Sequence, residues 1–108
     1  MVDTWNGENF EKKLGESDLL TVVKFYTDRC PSCKTMGMIF DSIAREWEEN
    51  GSQVRFAQVN VEHEDRLIRT FRIRSVPTVL VFRRGKPVVE SVGTLGRGRL
   101  QELIRSAM

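Results

Sequence analysis

Cysteine and histidine are scarce in this chain, and their scarcity limits the chemistry it can perform. Its 108 residues include two cysteines, one histidine and three prolines. A structural zinc site needs about four ligands, so Cys30, Cys33 and His63 are too few and we expect no metal. A disulfide across a C-x-x-C spacing closes too small a loop to remove much chain entropy, so a purely structural bridge is poorly motivated. The spacing favours a redox pair instead.

Long apolar runs are also missing. No stretch approaches the roughly 20 apolar residues of a membrane span, and the first residues, MVDTWNGENFEKK, have neither the basic region nor the apolar region of a secretory signal. We therefore expect a cytoplasmic protein without a membrane anchor. The length suits one domain covering residues 1–108, and 40% hydrophobic with 30% charged residues is typical of a folded globular chain.

No sign of charge dominates overall, but the charge is unevenly distributed. The net charge is +2, yet residues 1–65 hold seven basic and thirteen acidic residues, whereas residues 66–108 hold ten and two. The basic part lacks the interleaved aromatics of a nucleic-acid module, so no nucleic acid is expected. We interpret Arg66, Arg69, Arg72 and Arg74 as a solvated face, with a docking surface for an acidic partner as the alternative.

The chain is organised around KFYTDRCPSCK, residues 24–34. An apolar, β-branched run leads into it and predicts a buried strand. A helix is predicted to begin near Cys30, with Pro31 at its first position, where a missing N–H costs nothing. Periodicity predicts the order βαβαβαββα, with these bounds: strands 1–5, 19–26, 54–61, 79–82 and 88–92; helices 8–14, 30–49, 62–71 and 99–107.

Strands that alternate with helices indicate parallel crossovers, and the late hairpin adds an antiparallel edge. The fold class is therefore α/β. Asn50-Gly51 is predicted to end the second helix, and Gly37 is a weak point within it. Residues 84–87, Arg-Gly-Lys-Pro, are predicted to form the turn of the hairpin.

A second motif gives the cysteines a context. Ser75-Val76-Pro77-Thr78 precedes the hairpin and the last helix. This motif, the C-x-x-C at a strand-to-helix junction and the order of elements together resemble the thioredoxin family over essentially the whole chain. The resemblance implies a thioredoxin fold, in which a mixed sheet of five or four strands lies between two layers holding four helices. It also implies a cis Val76–Pro77 peptide bond beside the cysteines, and a substrate groove lined by Val76, Pro77 and Gly93.

Thiol–disulfide exchange needs a thiolate and a second thiol that resolves the mixed disulfide. At a helix N-terminus Cys30 has the N–H groups that favour an anion, so we assign it as nucleophile and Cys33 as the deeper, resolving thiol. The resemblance implies protein disulfide substrates, a flavoprotein thioredoxin reductase as electron source, a monomer and no bound cofactor.

Several positions depart from the family pattern. Arg29 replaces the usual tryptophan before the first cysteine, and Pro31-Ser32 replaces Gly-Pro in an order that resembles glutaredoxins and periplasmic disulfide oxidases. Lys24 occupies the place of a buried aspartate that is thought to accept the proton of the resolving thiol. Gln58 replaces the usual lysine on the neighbouring strand, and Met38 replaces the proline that usually kinks the active-site helix.

These departures suggest a more oxidising couple than that of an ordinary thioredoxin. Arg29 adds a cation beside Cys30, and a charged Lys24 would add one beneath Cys33; both stabilise thiolate and hence the reduced form. A buried lysine can also lose its proton, so a neutral Lys24 could serve as base for Cys33. A third interpretation makes Lys24 structural, reaching solvent or pairing with a carboxylate.

The sequence thus predicts a protein-disulfide oxidoreductase. Two alternatives remain open: a disulfide oxidase or isomerase with the opposite direction of electron flow, and a non-catalytic binding module of the same fold. Tyr26 is interpreted as the aromatic residue behind the active site, with core packing an equal explanation. His63 is predicted to be exposed and idle, and Met36, Met38 and Trp47 to fill the core and groove.

Overall fold

The fold is a mixed five-stranded sheet with helices on both faces. The computed structural model describes residues 2–108, so Met1 of the predicted first strand lies outside the described residues. The strands are β1 Val2–Trp5, β2 Leu20–Tyr26, β3 Val54–Asn60, β4 Thr78–Arg83 and β5 Lys86–Val92; the helices are α1 Phe10–Gly15, α2 Pro31–Glu49, α3 Asp65–Phe71 and α4 Arg97–Ala107.

The strand order is β1-β3-β2-β4-β5, which places β2 at the centre. β1 and β2 both pair with β3 in parallel, β2 pairs with β4 antiparallel, and β4 forms a hairpin with β5. The predicted element order and α/β class are confirmed, and the sheet has five strands rather than four. The hairpin turn consists of Arg84 and Gly85 alone, both at positive φ, which is typical of a two-residue turn. Lys86 and Pro87 therefore belong to β5.

Each face of the sheet has its own core. On the α1/α3 face, Phe10 is fully buried and its ring contacts four other aromatic rings, those of Trp5, Phe25, Phe71 and Phe82. On the α2/α4 face, Met36, Phe40 and Ile43 of α2 pack with Leu100 and Ile104 of α4 over the sheet. Alternate side chains of a strand point to opposite faces, so β2 contributes Val23 and Phe25 to the first core and Val22 to the second.

Two helices begin later than predicted because asparagine side chains bind the preceding backbone. Asn6 Oδ1 accepts hydrogen bonds from the N–H groups of Glu8 and Asn9, so α1 starts at Phe10. Asn60 Oδ1 accepts from the N–H of Glu62 in the same way, and α3 starts only at Asp65. Such local bonds offer the backbone an alternative to the helix.

His63 consequently lies before α3 rather than at its start. It is exposed, as predicted, and adopts a positive φ of 70°. No helix among residues 2–108 is long and apolar enough to cross a membrane.

Candidate active site

The two cysteines lie at the end of the central strand, where α2 begins. They are joined in a disulfide, with Cα atoms 5.2 Å apart. Cys30 is the N-cap of α2 and Pro31 is its first residue, as predicted. Cys30 Sγ accepts a hydrogen bond of 3.1 Å from the N–H of Cys33. Cys30 is half-buried and reachable, whereas Cys33 is only 3% exposed.

Ser32 adds a second donor to the outer sulfur. Its Oγ lies 3.3 Å from Cys30 Sγ, and because a disulfide sulfur has no proton, the hydroxyl is the donor. The same two donors, the Cys33 N–H and the Ser32 hydroxyl, are in position to stabilise a thiolate on Cys30 when the disulfide is open.

The Val76–Pro77 segment faces the outer sulfur. Its peptide bond is cis, as the resemblance implied. The Val76 carbonyl oxygen lies 3.7 Å from Cys30 Sγ, and Pro77 is buried. Gly93 has a φ of 97° and donates its N–H to the Pro77 carbonyl at 2.8 Å. The positive φ favours glycine at this position. The hydrogen bond holds the residue that follows β5 against the Val76–Pro77 segment beside the disulfide.

Lys24 is a buried cation on the α2 side of β2. Its side chain is 4% exposed, and Nζ lies 5.1 Å from the ring centre of Tyr26 and 5.2 Å from that of Phe40. Among residues 2–108 it forms no ion pair, so the predicted carboxylate partner is absent. Burial lowers the pKa of Lys24, and the charge of Asp41 opposes this effect.

A cavity of about 270 Å³ connects Lys24 with the inner cysteine. It is lined by residues from β2, the following loop and α2: Lys24, Tyr26, Thr27, Asp28, Cys33, Lys34, Gly37, Met38 and Asp41. Burial, reinforced by the nearby charge of Asp28, raises the pKa of the half-buried Tyr26. Cys33 therefore shares a cavity with two lysines, Lys24 and Lys34, and two aspartates, Asp28 and Asp41.

Gly37 and Asp41 belong to this site, although the sequence did not identify them as site residues. A Cβ placed on Gly37 would lie 3.1 Å from Lys24 Nζ, which is the one atom within 4 Å of it outside the adjoining residues and the surrounding helix backbone. The signal was present in the spacing: Cys33, Gly37 and Asp41 follow one another at intervals of four, so they share one face of α2.

Other predicted site residues lie elsewhere. Gln58 pairs with Lys24 in the sheet register, but its amide donates to Thr4 Oγ1 at 3.0 Å and does not line the cavity. Of the three residues predicted to fill the core and groove, Met36 and Trp47 are in the core, whereas Met38 lines the cavity and is 76% exposed. Arg29 is exposed next to Cys30. Within residues 2–108, no group of three metal-ligating side chains is placed to hold a metal ion.

The comparisons with known proteins agree with this geometry. The family profile for thioredoxin matches residues 1–106. The chain belongs to the thioredoxin family. A thioredoxin of Mycoplasmoides gallisepticum is 32% identical over 84 residues, which cover 78% of this chain and 80% of that protein. Protein disulfide-isomerase 1 of Caenorhabditis elegans is 34% identical over 79 residues, 73% of this chain; the match spans only 16% of that longer protein.

A solved structure confirms the thioredoxin fold. The crystal structure of Chlamydomonas reinhardtii thioredoxin f2 superimposes with a TM-score of 0.83 and 27% identity, covering all of this chain and 97% of the other. Membership of the thioredoxin family, together with the Cys30–Cys33 pair, supports thiol–disulfide oxidoreductase activity for this chain.

Proposed function

We propose that the protein exchanges disulfides with protein substrates, with Cys30 as nucleophile and Cys33 as resolving thiol. The asymmetry of the pair carries the proposal: Cys30 is reachable, sits at a helix N-terminus and receives two hydrogen bonds, whereas Cys33 is buried behind it. The Cys30 thiolate attacks a substrate disulfide and one substrate thiolate leaves. Cys33 then attacks Cys30 Sγ, the second substrate thiolate leaves, and the Cys30–Cys33 disulfide forms.

A substrate chain lies along Val76, Pro77 and Gly93 in this proposal. The Val76 carbonyl is close to Cys30 Sγ and is available to pair with an extended substrate, as in the addition of a strand. Two electrons must then reduce the disulfide again; we propose a flavoprotein thioredoxin reductase in the cytoplasm, a reducing compartment. Both faces of the sheet are covered by the protein's own helices, which supports a monomer.

Trapping of the mixed disulfide tests the assignment of the two cysteines. A Cys33→Ser variant incubated with an oxidised protein substrate such as insulin should accumulate a covalent adduct that dithiothreitol releases. The matched Cys30→Ser variant should accumulate none. Adducts that form equally well through Cys33 would overturn the assignment, and absence of disulfide reduction by the wild-type protein would favour the non-catalytic binding module.

We further propose that the couple is more oxidising than that of an ordinary thioredoxin. The supporting observations are the Ser32 hydroxyl at Cys30 Sγ, the exposed Arg29 beside it, and Lys24 in the cavity of Cys33. The Ser32 hydroxyl and Arg29 favour a thiolate on Cys30, and Lys24 favours one on Cys33 when its amine is protonated. A stabilised thiolate stabilises the reduced state. Equilibration with glutathione buffers measures this, and a midpoint at or below that of an ordinary thioredoxin contradicts it. A sufficiently high midpoint would favour the oxidase or isomerase direction, in line with the disulfide-isomerase relative.

A further inference from the structure

A cleft lies between the end of α3 and the exposed side of β5, on the α1/α3 face of the sheet. Its volume is about 330 Å³, and its main lining residues are Phe71, Arg72, Leu80, Pro87, Val88 and Glu90. The floor is apolar, because Leu80 is buried and the half-buried Phe71 packs against the same core. The cleft is separate from the groove of Val76, Pro77 and Gly93, and the proposed chemistry does not use it.

β5 presents exposed apolar side chains along this cleft. Val88 is the extra residue of a β-bulge and has no partner on β4. A bulge re-aims the side chain that it carries, and that of Val88 is 47% exposed. Val92, farther along the strand, is 58% exposed. β5 therefore keeps an apolar strip in contact with solvent.

Both walls of the cleft lead to the disulfide. On one side, β5 runs from Val88 to the hydrogen bond that Gly93 donates beside the disulfide. On the other side, the chain runs from Arg72 to Val76, whose carbonyl oxygen lies 3.7 Å from Cys30 Sγ. An extended chain advances about 3.3 Å per residue, so a substrate bonded to Cys30 and extended along these walls reaches the cleft about four or five residues from its cysteine.

The charge around the cleft favours an acidic occupant. Arg72 lines the cleft, and Arg69 and Arg74 are exposed on the same stretch of chain. Among residues 2–108, none of these three guanidinium groups has a hydrogen bond or an ion pair. Glu90 is the one acidic residue in the described lining. Arg72 also has a φ of 54°, so a cation stands where the backbone would favour glycine.

The edge of β5 is unsuited to pairing with another strand. Pro87 has no N–H to donate, the bulge at Val88 interrupts the ladder, and Lys86 adds an exposed charge. All three features oppose edge-to-edge association. An occupant of the cleft is therefore bound through its side chains, which disfavours a second copy of this chain paired along β5.

We propose that the α3/β5 cleft is a second binding site for protein substrates, which takes an apolar side chain about four or five residues from the substrate cysteine. A carboxylate next to that side chain contacts Arg72. The proposal rests on the proposed role of Cys30 and names the class of substrate that Cys30 receives. Binding at the cleft holds the substrate disulfide beside Cys30 Sγ, so it raises the rate by proximity and adds no chemical group.

A series of peptides tests the spacing. Each peptide carries one cysteine in a mixed disulfide with nitrothiobenzoate, within a glycine- and serine-rich chain, and one leucine at a different distance on either side. The Cys30 thiolate of the reduced protein attacks the peptide sulfur, the bond to nitrothiobenzoate breaks, and the coloured thiolate leaves. We expect the second-order rate constant to peak about tenfold above that of a peptide without leucine, at a spacing of about four or five residues on one side. Equal rates at every spacing would overturn the proposal.

Two matched variants locate the effect. Val88→Asp places a carboxylate against the apolar side chain, so the best peptide should react no faster than the peptide without leucine. Met108→Asp changes an exposed apolar residue outside the cleft and should keep the peak. A peak that survives in Val88→Asp would overturn the assignment to the cleft. Far-ultraviolet circular dichroism confirms that both variants are folded.

The charge is tested at the neighbour of the leucine. A peptide with aspartate there should react about two- to fivefold faster than one with lysine. The difference should disappear in Arg72→Gln and at high salt, whereas Lys86→Gln, an exposed cation at the start of β5, should keep it. An undiminished difference in Arg72→Gln would overturn the role of Arg72.

The outcomes distinguish the cleft from the proposed function. If the reduced protein releases nitrothiobenzoate from none of the peptides, the role of Cys30 fails. If it reacts with all of them and the position of leucine has no effect, only the cleft fails. Sedimentation tests the other occupant, because a dimer that Val88→Asp dissociates would show that a second copy covers the cleft and would overturn the proposal.

Discussion

The two faces of the sheet are built from alternate residues of the same strands, yet they do different work. The α1/α3 face has four aromatic rings packed around Phe10, and none of its described side chains is a buried charge. The α2/α4 face carries Lys24, a glycine in its long helix, a cavity and the buried cysteine. Among residues 2–108, the buried charge and the buried cysteine are therefore both on the α2/α4 side.

Removal of the Phe10 ring should destabilise the α1/α3 face without affecting the disulfide. Phe10→Ala deletes a fully buried side chain that contacts four rings, so we expect a loss of about 3–5 kcal/mol in the free energy of unfolding. The reduction midpoint of the fraction that stays folded should not change. Urea unfolding and glutathione equilibration measure the two quantities; a large shift in midpoint would show that the faces are not independent.

Removal of the buried amine of Lys24 from the α2/α4 face should stabilise the protein. Burying a charge without a partner is costly, so Lys24→Met should raise the free energy of unfolding of the oxidised protein by about 1 kcal/mol near neutral pH.

The sign of the pH dependence follows from the lowered pKa of Lys24. Between that value and the ordinary lysine value of 10.5, the unfolded chain binds more protons than the folded one, so wild-type stability rises with pH. The advantage of Lys24→Met should therefore shrink as the pH approaches 10.5 and is largest below the lowered pKa. A constant or growing advantage would contradict the burial effect. Lys12→Met is the control.

The space shared by Gly37 and Lys24 should appear as a coupling energy. Gly37→Ala improves helix propensity, but in the wild-type protein its Cβ approaches Nζ at 3.1 Å. In the Lys24→Met background the shorter side chain leaves room, so the alanine should be more stabilising there. A double-mutant cycle by urea unfolding should give a coupling of about 0.5–1 kcal/mol between the two positions. Additive effects would show that Gly37 is not required to make space for Lys24.

The smallest effect is expected for the exposed residue that precedes Cys30. Arg29 is exposed, and surface charges contribute little, so Arg29→Gln should move the equilibrium with glutathione toward a more reducing couple by about two- to fivefold. High salt should diminish the difference between the variant and the wild-type protein. Lys86→Gln, an exposed cation on β5, is the matched control and should leave the equilibrium unchanged.

The sequence predicted correctly the elements that have a strong hydrophobic pattern and no nearby side chain that binds the backbone at their ends. β2 and α2 follow from a continuous apolar run and a long helical stripe, and their junction located Cys30 and Cys33. The starts of α1 and α3 were predicted too early because the bonds from Asn6 and Asn60 are local choices that hydrophobic periodicity does not record.

The cavity was beyond sequence reasoning because it depends on tertiary packing. Lys24 and Gly37 lie on different elements, and their closeness requires the packing of α2 across β2. For Gln58 the sequence predicted the position but not the contact. Its register beside Lys24 agrees with the family pattern, but its amide donates to Thr4 on β1 and does not reach the cysteines. Register is readable from a pattern of strands, whereas the choice of a hydrogen-bond partner is not.

The central position of β2 has a consequence for how the protein opens. Because β2 is hydrogen-bonded to β3 on one side and β4 on the other, its amides should exchange with deuterium only through global unfolding, whereas those of the edge strands β1 and β5 exchange through smaller fluctuations. The disulfide thus lies at the end of the slowest-exchanging segment. We therefore expect the local fluctuations that admit a substrate to occur in the loops around Cys30, while β2 keeps its hydrogen bonds to β3 and β4.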